Sequence, residues 1–209
     1  MTVERDRDRE WWLRVPAVLL APRSVFAALR DESRDDQDAR AEPVLALVLL
    51  AGAFAALTSG TAGGLYDDPI YDGPLVVALW VVFAAAFTGF AGYFVVGGAL
   101  YLGTRGLGSE GNFRRARHIV AFALAPLALG LVVLLPLELA FFGGDLFRHG
   151  GSDEGAAGTV LAVLEGAFAA WSVGLLLVGV RTVHGWSWWR SLAALSLVVL
   201  FLAAFRYVF

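Results

Sequence analysis

The arginines of this chain fall into alternate gaps between its long apolar stretches. All sixteen lysine-or-arginine positions are arginine. Eight precede residue 43, four lie between the second and third stretches, and two lie between the fourth and fifth. The remaining two are Arg148, between the third and fourth stretches, and Arg206, near the C-terminus. Because basic loops of membrane proteins stay in the cytoplasm, this pattern predicts five spans with the N-terminus inside and the C-terminus outside.

The composition supports a membrane protein built as one bundle. Hydrophobic residues make up 58% of the chain and charged residues 17%, whereas a soluble domain has about 25% charged residues. The net charge of -3 argues against a nucleic-acid partner. The absence of cysteine excludes disulfides and thiolate metal sites. The abundance of arginine, alanine and glycine without lysine suggests a prokaryotic source with a GC-rich genome.

The predicted fold is an all-α integral membrane protein: five transmembrane helices preceded by an N-terminal interfacial amphipathic helix. Residues 1–42 form the cytoplasmic segment, in which residues 11–31 are expected to lie in the membrane plane. Trp11 and Trp12 suit the headgroup layer, and residues 31–42 are expected to be a solvated linker. The spans of the membrane domain, 43–209, are predicted at 43–60, 75–102, 118–142, 159–183 and 191–209.

Two of the predicted spans carry small residues at every fourth position, which places those residues on one helix face. They are Gly52, Ala56 and Gly60 in the first span and Ala162, Gly166, Ala170 and Gly174 in the fourth. Small residues let helix backbones approach closely, so we interpret both faces as packing seams; a narrow groove for a lipid tail is the alternative. Pro126 and Pro136 are expected to bend the third span, because each removes a backbone hydrogen bond.

No sequence motif predicts a catalytic, cofactor or metal site. Residues 106–111 match the dinucleotide-binding fingerprint by their letters, but they follow a membrane span rather than a strand, which favours a flexible turn. His118, His149 and His184 lack the spacing of metal ligands, and His118 and His184 are expected as side chains at the cytoplasmic edge. No nucleophile-elbow, metalloprotease or phosphate-loop motif occurs. We therefore predict a protein that is not an enzyme and has no cofactor.

Three ionisable residues are predicted inside the membrane, all in its outer third. Glu138 lies near the outer end of the third span, Glu165 near that of the fourth, and Arg206 well into the fifth. Ionisable groups at such depths usually face the bundle interior and pair, so these three are candidates for one polar cluster. The alternative is that each side chain snorkels to water. A cluster of this kind would suit a transporter.

The predicted cytoplasmic loops combine basic and aromatic residues and are a candidate surface for a partner or for lipid. Its members are Arg105, Arg114, Arg115, Arg117, His184, Trp186, Trp188, Trp189 and Arg190. Arginines near the surface attract anionic headgroups by ~1 kcal/mol each, and tryptophans settle in the same layer. The predicted topology alone would also place arginines in these loops. Membrane anchoring is therefore the simpler interpretation of these residues, and a surface that binds a partner is the more specific one.

Four stretches of the chain resemble the Yip-one domain family, five-span membrane proteins first known as interactors of Rab (Ypt) GTPases. They are the leader at 20–26, where a proline is followed by phenylalanine, the glycine-aromatic-basic loop at 111–115, the span start at 121–126, and the end of the fourth span with its loop, at Trp171, Gly174, Gly179, His184 and Gly185. The resemblance covers about residues 11–209 and suggests a prokaryotic member.

This resemblance implies an architecture and a role in recruiting partners rather than in catalysis. Eukaryotic members act in vesicle traffic between the endoplasmic reticulum and the Golgi. Their cytosolic Asp-Leu-x-Gly-Pro segment has Asp72-Gly73-Pro74 as its nearest counterpart here, on the predicted outer side, which argues against GTPase binding. We expect a membrane organiser that binds lipids, another protein or a second copy of itself. A small transporter or lipid-moving protein ranks second, and an intramembrane hydrolase third.

Overall fold

The computed structural model of the chain is helical, and no strand occurs among the residues that it describes. These are the backbone of residues 2–59, 61–67 and 74–208, with their side chains except those of 2–7, 74, 154 and 201–208. The α-helices in this part of the chain are α1 Thr2–Leu20, α2 Pro22–Ala28, α3 Arg34–Ala39, α4 Ala41–Leu57, α5 Pro74–Gly106, α6 Phe113–Ala123, α7 Ala125–Phe142, α8 Ala156–His184 and α9 Trp188–Val208. Short 3-10 turns occur at Ala62–Asp67, Gly143–Phe147 and Ser152–Glu154.

Four helical segments are long and apolar enough to cross a membrane. They are Arg34–Leu57, Leu75–Gly106, Phe113–Phe147 and Ala156–His184, and a shorter apolar helix follows at Trp188–Leu200. Large apolar side chains such as Phe83, Phe87 and Val163 lie exposed on the helix surfaces. Such surfaces are unfavourable in water and suit lipid tails. The predicted all-α membrane fold is therefore confirmed, with four to five helices able to span.

The chain divides into two compact units. The first unit comprises Met1–Leu47, Ala91–Ala125 and Ser172–Phe209, and the second comprises Val48–Phe90 and Pro126–Trp171. In the first unit, α1 packs against α2, α3 and α6. The N-terminal helices are therefore part of a packed unit.

Trp11 anchors α1 in the core of the first unit. Its side chain is 1% exposed, and its ring centroid lies 5.5 Å from that of Phe122. The indole Nε1–H donates to Asp36 Oδ1 at 2.9 Å, so a large apolar ring is buried without an unpaired polar group. The expectation that Trp11 lies in the headgroup layer is therefore wrong, whereas Trp12 is exposed.

Residues 31–42, expected to be a solvated linker, instead contain the capped helix α3 and a buried arginine. Ser33 Oγ caps α3 by accepting the backbone N–H of Asp36 at 3.3 Å. The buried Arg40 lies 3.2 Å from Asp36 Oδ2, and its guanidinium carbon lies 5.5 Å from the Trp11 ring centroid. The linker interpretation is wrong because Asp36 joins Trp11 and Arg40 in contacts that composition alone does not reveal.

The predicted span 118–142 consists of two helices that separate at Leu124. Asn112 caps the start of α6, because its side-chain oxygen accepts a backbone N–H of the first turn at 2.8 Å. Pro126 lies in the first turn of α7, where a missing N–H is tolerated. The helix α7 then continues through Pro136. Pro126 thus marks a boundary between helices, and Pro136 lies within one.

A close crossing of α4 and α5 lies in the second unit. A Cβ atom added to Gly52 would lie 2.6 Å from the Cα of Gly89. Thr88 Oγ1 donates to the carbonyl oxygen of Gly52 at 2.8 Å. The buried Ala56 follows one turn later on α4, and Gly60 lies outside the described residues. The backbones of α4 and α5 therefore touch at Gly52, where no larger residue fits.

The small-residue face of α8 has no packing partner within the described part of the chain. No atom lies within 4 Å of a Cβ added to Gly166 or to Gly174, and Ala162 and Ala170 are exposed. The packing-seam interpretation of this face therefore stays a prediction, and the lipid groove stays its alternative. Four-residue spacing defines one face of a helix, but it does not say whether a neighbouring helix covers that face.

Candidate functional site

Two of the predicted intramembrane carboxyl groups line one cavity in the second unit. The cavity has a volume of about 390 Å³ and is bordered by the ends of α4, α7 and α8. Glu138 projects from α7 and Glu165 from α8, and their side chains lie within hydrogen-bonding reach of each other. Asp153, in the turn that precedes α8, also lines the cavity. The structure thus brings Glu138 and Glu165 together and adds a third carboxyl group.

Glu138 is buried, and part of its carboxyl group has no hydrogen-bond partner among the described residues. Its side chain is 4% exposed, and in this part of the chain neither its Oε1 atom nor the buried Oδ1 atom of Asp153 has a partner. Burying a carboxylate without donors is costly, and two carboxylates in contact disfavour each other's ionised form. The cavity is therefore suited to a shared proton or to a bound cation.

The third predicted member of this cluster, Arg206, has a side chain that lies outside the described residues. None of the described residues that line the cavity is basic. Asp153, which the sequence analysis did not single out, reaches the cavity because a 3-10 turn at Ser152–Glu154 precedes α8. No sequence signal could have found it, since loop composition does not give the position of a loop against the helices.

The three histidines lie in different local surroundings. No group of three or more histidine, cysteine, aspartate or glutamate side chains in the described part of the chain could hold a metal ion. His118, expected at the membrane edge, is buried in α6, because it lies on the inward face of that helix. His149 instead connects two turns of the second unit: Asp67 Oδ2 accepts its backbone N–H at 2.8 Å and lies 2.6 Å from its ring Nδ1.

This exposed contact affects the titration of Asp67. The backbone N–H of His149 donates to the carboxylate and, together with the imidazole ring, holds the pKa of Asp67 below its usual value. Hydrogen bonds to the ionised form have this effect. The contact joins the turn Ala62–Asp67 to the segment after Gly143–Phe147. We therefore interpret His149 and Asp67 as a structural pair.

In the first unit, the arginines of the predicted basic and aromatic surface differ in how available they are. The guanidinium carbon of Arg117 lies 5.1 Å from the ring centroid of Tyr93 and 4.6 Å from those of Phe94 and Phe113. Each such cation–π contact contributes about 0.5–1 kcal/mol when it is exposed and more when it is desolvated. Arg117 therefore stabilises the packing of α5 against α6 and is not free for a partner.

Arg114 and Arg115 attach the N-terminal segment to α6. Arg115 Nε lies 2.8 Å from Glu32 Oε1, and Asn112 Nδ2 donates to the same oxygen at 2.8 Å. Arg114 donates to the side-chain oxygen of Gln37. These polar contacts join residues more than seventy positions apart, so they orient the segment that carries α3.

The loop between α8 and α9 is ordered by contacts around Trp186. The His184 ring lies 4.8 Å from it between centroids, and His184 Nδ1 lies 3.0 Å from the carbonyl oxygen of Val180. The Arg190 guanidinium carbon lies 4.2 Å from the Trp186 ring centroid, and Arg190 also donates to the carbonyl oxygen of Leu107. His184, Trp186 and Arg190 therefore hold the loops of this end in place.

The residues that remain available on this surface are Arg105, Trp188 and Trp189. Trp189 is 81% exposed and Trp188 42% exposed, and Arg105 is exposed at the end of α5. The Arg181 guanidinium carbon lies 4.5 Å from the Trp188 ring centroid, which orients that ring. Such exposed tryptophans are typical of headgroup layers and of protein interfaces.

Comparison with known proteins gives one match that spans nearly the whole chain. The family model described as the Yip1 domain matches residues 17–208. Neither the curated proteins nor the solved structures gave a match. The matched range includes α2 and all the helices that follow it, which agrees with the resemblance found in the residue motifs.

Proposed function

We propose, from the premise that this chain belongs to the Yip1 domain family, that it is a non-enzymatic multi-pass membrane protein that recruits or organises partners at the membrane. Family members are membrane proteins that interact with other proteins, and the family is not known for enzymes. The partners are proteins or lipids, and a second copy of the chain is one candidate.

The exposed pair of tryptophans at the start of α9 carries this proposal. Trp189 presents nearly its whole indole ring, and Trp188 presents part of its ring beside it. Aromatic residues and arginine are enriched at protein interfaces, where lysine is depleted. Arg105 adds an exposed positive charge in the same unit. A partner that offers an acidic surface, or an anionic headgroup, matches this chemistry.

The proposed location of this surface is the cytoplasmic side of a prokaryotic cell membrane, with the N-terminus inside and the C-terminus outside. Fourteen of the sixteen arginines support this orientation, because basic loops are retained in the cytoplasm. GTPase binding is not expected, because the nearest counterpart of the eukaryotic segment, Asp72-Gly73-Pro74, lies on the predicted outer side.

Photo-crosslinking in native membranes tests the recruiting role. A benzophenone amino acid replaces Trp189 in one variant and Phe87, an equally exposed aromatic residue of α5, in a matched control. We expect the Trp189 position to give a defined adduct with a protein or an anionic lipid, and the Phe87 position to give bulk lipid adducts. The same adducts at both positions would contradict the proposal.

A second candidate function, a small transporter or lipid-moving protein, is favoured by the carboxyl groups in the cavity. Intramembrane ionisable residues commonly mark pathways for ions or substrates, and Glu138 and Glu165 meet at such a cavity. Reconstituted vesicles distinguish the two functions. Transport or lipid movement that is lost in Glu138→Gln and retained in Trp189→Ala would favour the second candidate over the first.

A further inference from the structure

Among the described residues, the cavity of the second unit gathers acidic side chains without a positive partner. Glu138 and Glu165 line the same cavity, and neither the buried Glu138 Oε1 nor the buried Asp153 Oδ1 has a hydrogen-bond partner among the described residues. No basic side chain among the described residues lines the cavity. An uncompensated buried charge costs several kcal/mol by general estimates, so a cation that enters this cavity would gain strong, charge-assisted hydrogen bonds.

The geometry favours an organic cation over a metal ion. In the described residues, no three acidic or histidine side chains converge closely enough to coordinate a metal. The volume of about 390 Å³ is much larger than a single ion requires and approaches that of small-molecule pockets. Apolar side chains, among them Leu57, Phe142 and Leu161, form part of the wall. Such a wall suits the methylene groups that accompany an amine.

An ammonium group also matches the acceptors in kind. It carries N–H donors and no acceptor, and Glu138 and Glu165 offer carboxyl oxygens in the cavity. We propose that the cavity bounded by α4, α7 and α8 in the second unit binds an organic ammonium group, either of an aminophospholipid headgroup or of a small soluble amine. Glu138 and Glu165 hold the ammonium group, and Asp153 adds a further acidic group to the cavity wall.

This inference is separate from the recruiting role, because the two involve different residues in different units. Trp189→Ala should leave amine binding unchanged, and Glu138→Gln should leave the adducts at position 189 unchanged. The failure of one proposal is therefore distinguishable from the failure of the other.

The test uses the full chain, purified in mild detergent for soluble amines and reconstituted in nanodiscs for lipids. Ethanolamine is titrated against sodium chloride at matched ionic strength, with the melting temperature as the readout. Nanodiscs that contain phosphatidylethanolamine or phosphatidylglycerol are compared in parallel. We expect ethanolamine or its phospholipid to raise the melting temperature, where sodium and phosphatidylglycerol do not. A response to the phospholipid alone identifies a headgroup, and a response to both identifies the amine itself.

Three variants make the test specific. Glu138→Gln should weaken amine binding by about tenfold or more, the factor expected for the loss of a charge-assisted hydrogen bond. Glu110→Gln, at an exposed loop position, should bind like the unmodified chain. Ala162→Phe fills the cavity from its wall without altering a carboxyl group, so it should abolish binding even if Glu138→Gln fails to fold. No response to any amine, an equal response to sodium, or unchanged binding in Ala162→Phe would overturn the proposal.

Discussion

The close crossing of α4 and α5 allows a stability prediction that depends on one methyl group. In Gly52→Ala, the added Cβ would meet the backbone of α5 on two sides: the carbonyl oxygen of Ala85, and the Cα and N atoms of Gly89 at 2.6 Å. Real Cβ atoms essentially never approach another atom closer than 3.0 Å. Backbone atoms within a helix cannot move aside individually, so α4 and α5 must separate.

The expected cost follows from two opposing terms. Overpacking a tight contact costs typically about 1–3 kcal/mol, while replacing glycine by alanine inside a helix gains ~1 kcal/mol. The separation would also lengthen the 2.8 Å hydrogen bond from Thr88 Oγ1 to Gly52. We therefore expect a net loss of up to about 2 kcal/mol, which for a chain of this size lowers the melting temperature by up to about 8 °C.

Gly174→Ala is the matched control, because it makes the same change in an apolar helix where the space is open. No atom of the described residues lies within 4 Å of the added Cβ, so the helix-propensity term alone should act, and stability should hold or rise slightly. Both variants are melted in mild detergent and monitored by size-exclusion recovery. If Gly52→Ala melts at or above Gly174→Ala, the α4–α5 crossing is not the close contact described above.

Two further predictions concern the orientation of the chain and the turns of the second unit. Cysteine introduced at Ser24 should resist an impermeant thiol reagent in intact cells and cysteine at Ser152 should react, as the arginine distribution requires; labelling of Ser24 from outside would reverse the topology. Because the pKa of Asp67 is lowered in the folded chain, its contact with His149 stabilises the turns above the unfolded aspartate value of 3.8 and is lost as the pH falls through the lower, folded value. Hydrogen exchange of residues 61–67 should accelerate across that window in the unmodified chain and lose this dependence in Asp67→Asn.

The membrane helices could be predicted from the sequence because their signal is local. A run of about 20 apolar residues is long enough to cross a bilayer whatever surrounds it. The structure of the N-terminal segment depends instead on contacts between residues that are far apart in the sequence. Asp36 looks like one charge among many in 31–42, yet it accepts from Trp11 and pairs with Arg40. A solvated linker and a docked helix have the same composition, and only the tertiary partner distinguishes them.

The candidate site could be predicted only in part from the sequence. The depths of Glu138 and Glu165 along their spans indicated that they could meet, since rise per residue converts sequence position into depth. Small-residue spacing did not distinguish Gly52, which touches another backbone, from Gly174, whose added Cβ would have no described atom within 4 Å. Depth can be read from one helix, whereas rotation about the helix axis depends on how its neighbours pack.

Some arginines of the first unit are held by contacts within the chain, and others are exposed. Arg115 and Arg117 are held by contacts between elements, with Glu32 and with the rings around Tyr93, whereas Arg105 is exposed beside Tyr101 of its own helix. All of them still count toward topology, because retention of a loop depends on charge before the fold is complete. The number of basic residues therefore overstates the surface left for a partner. A planar guanidinium can stack on rings and pair with carboxylates at once, so Arg117→Lys should destabilise the unit, while Arg105→Lys should not.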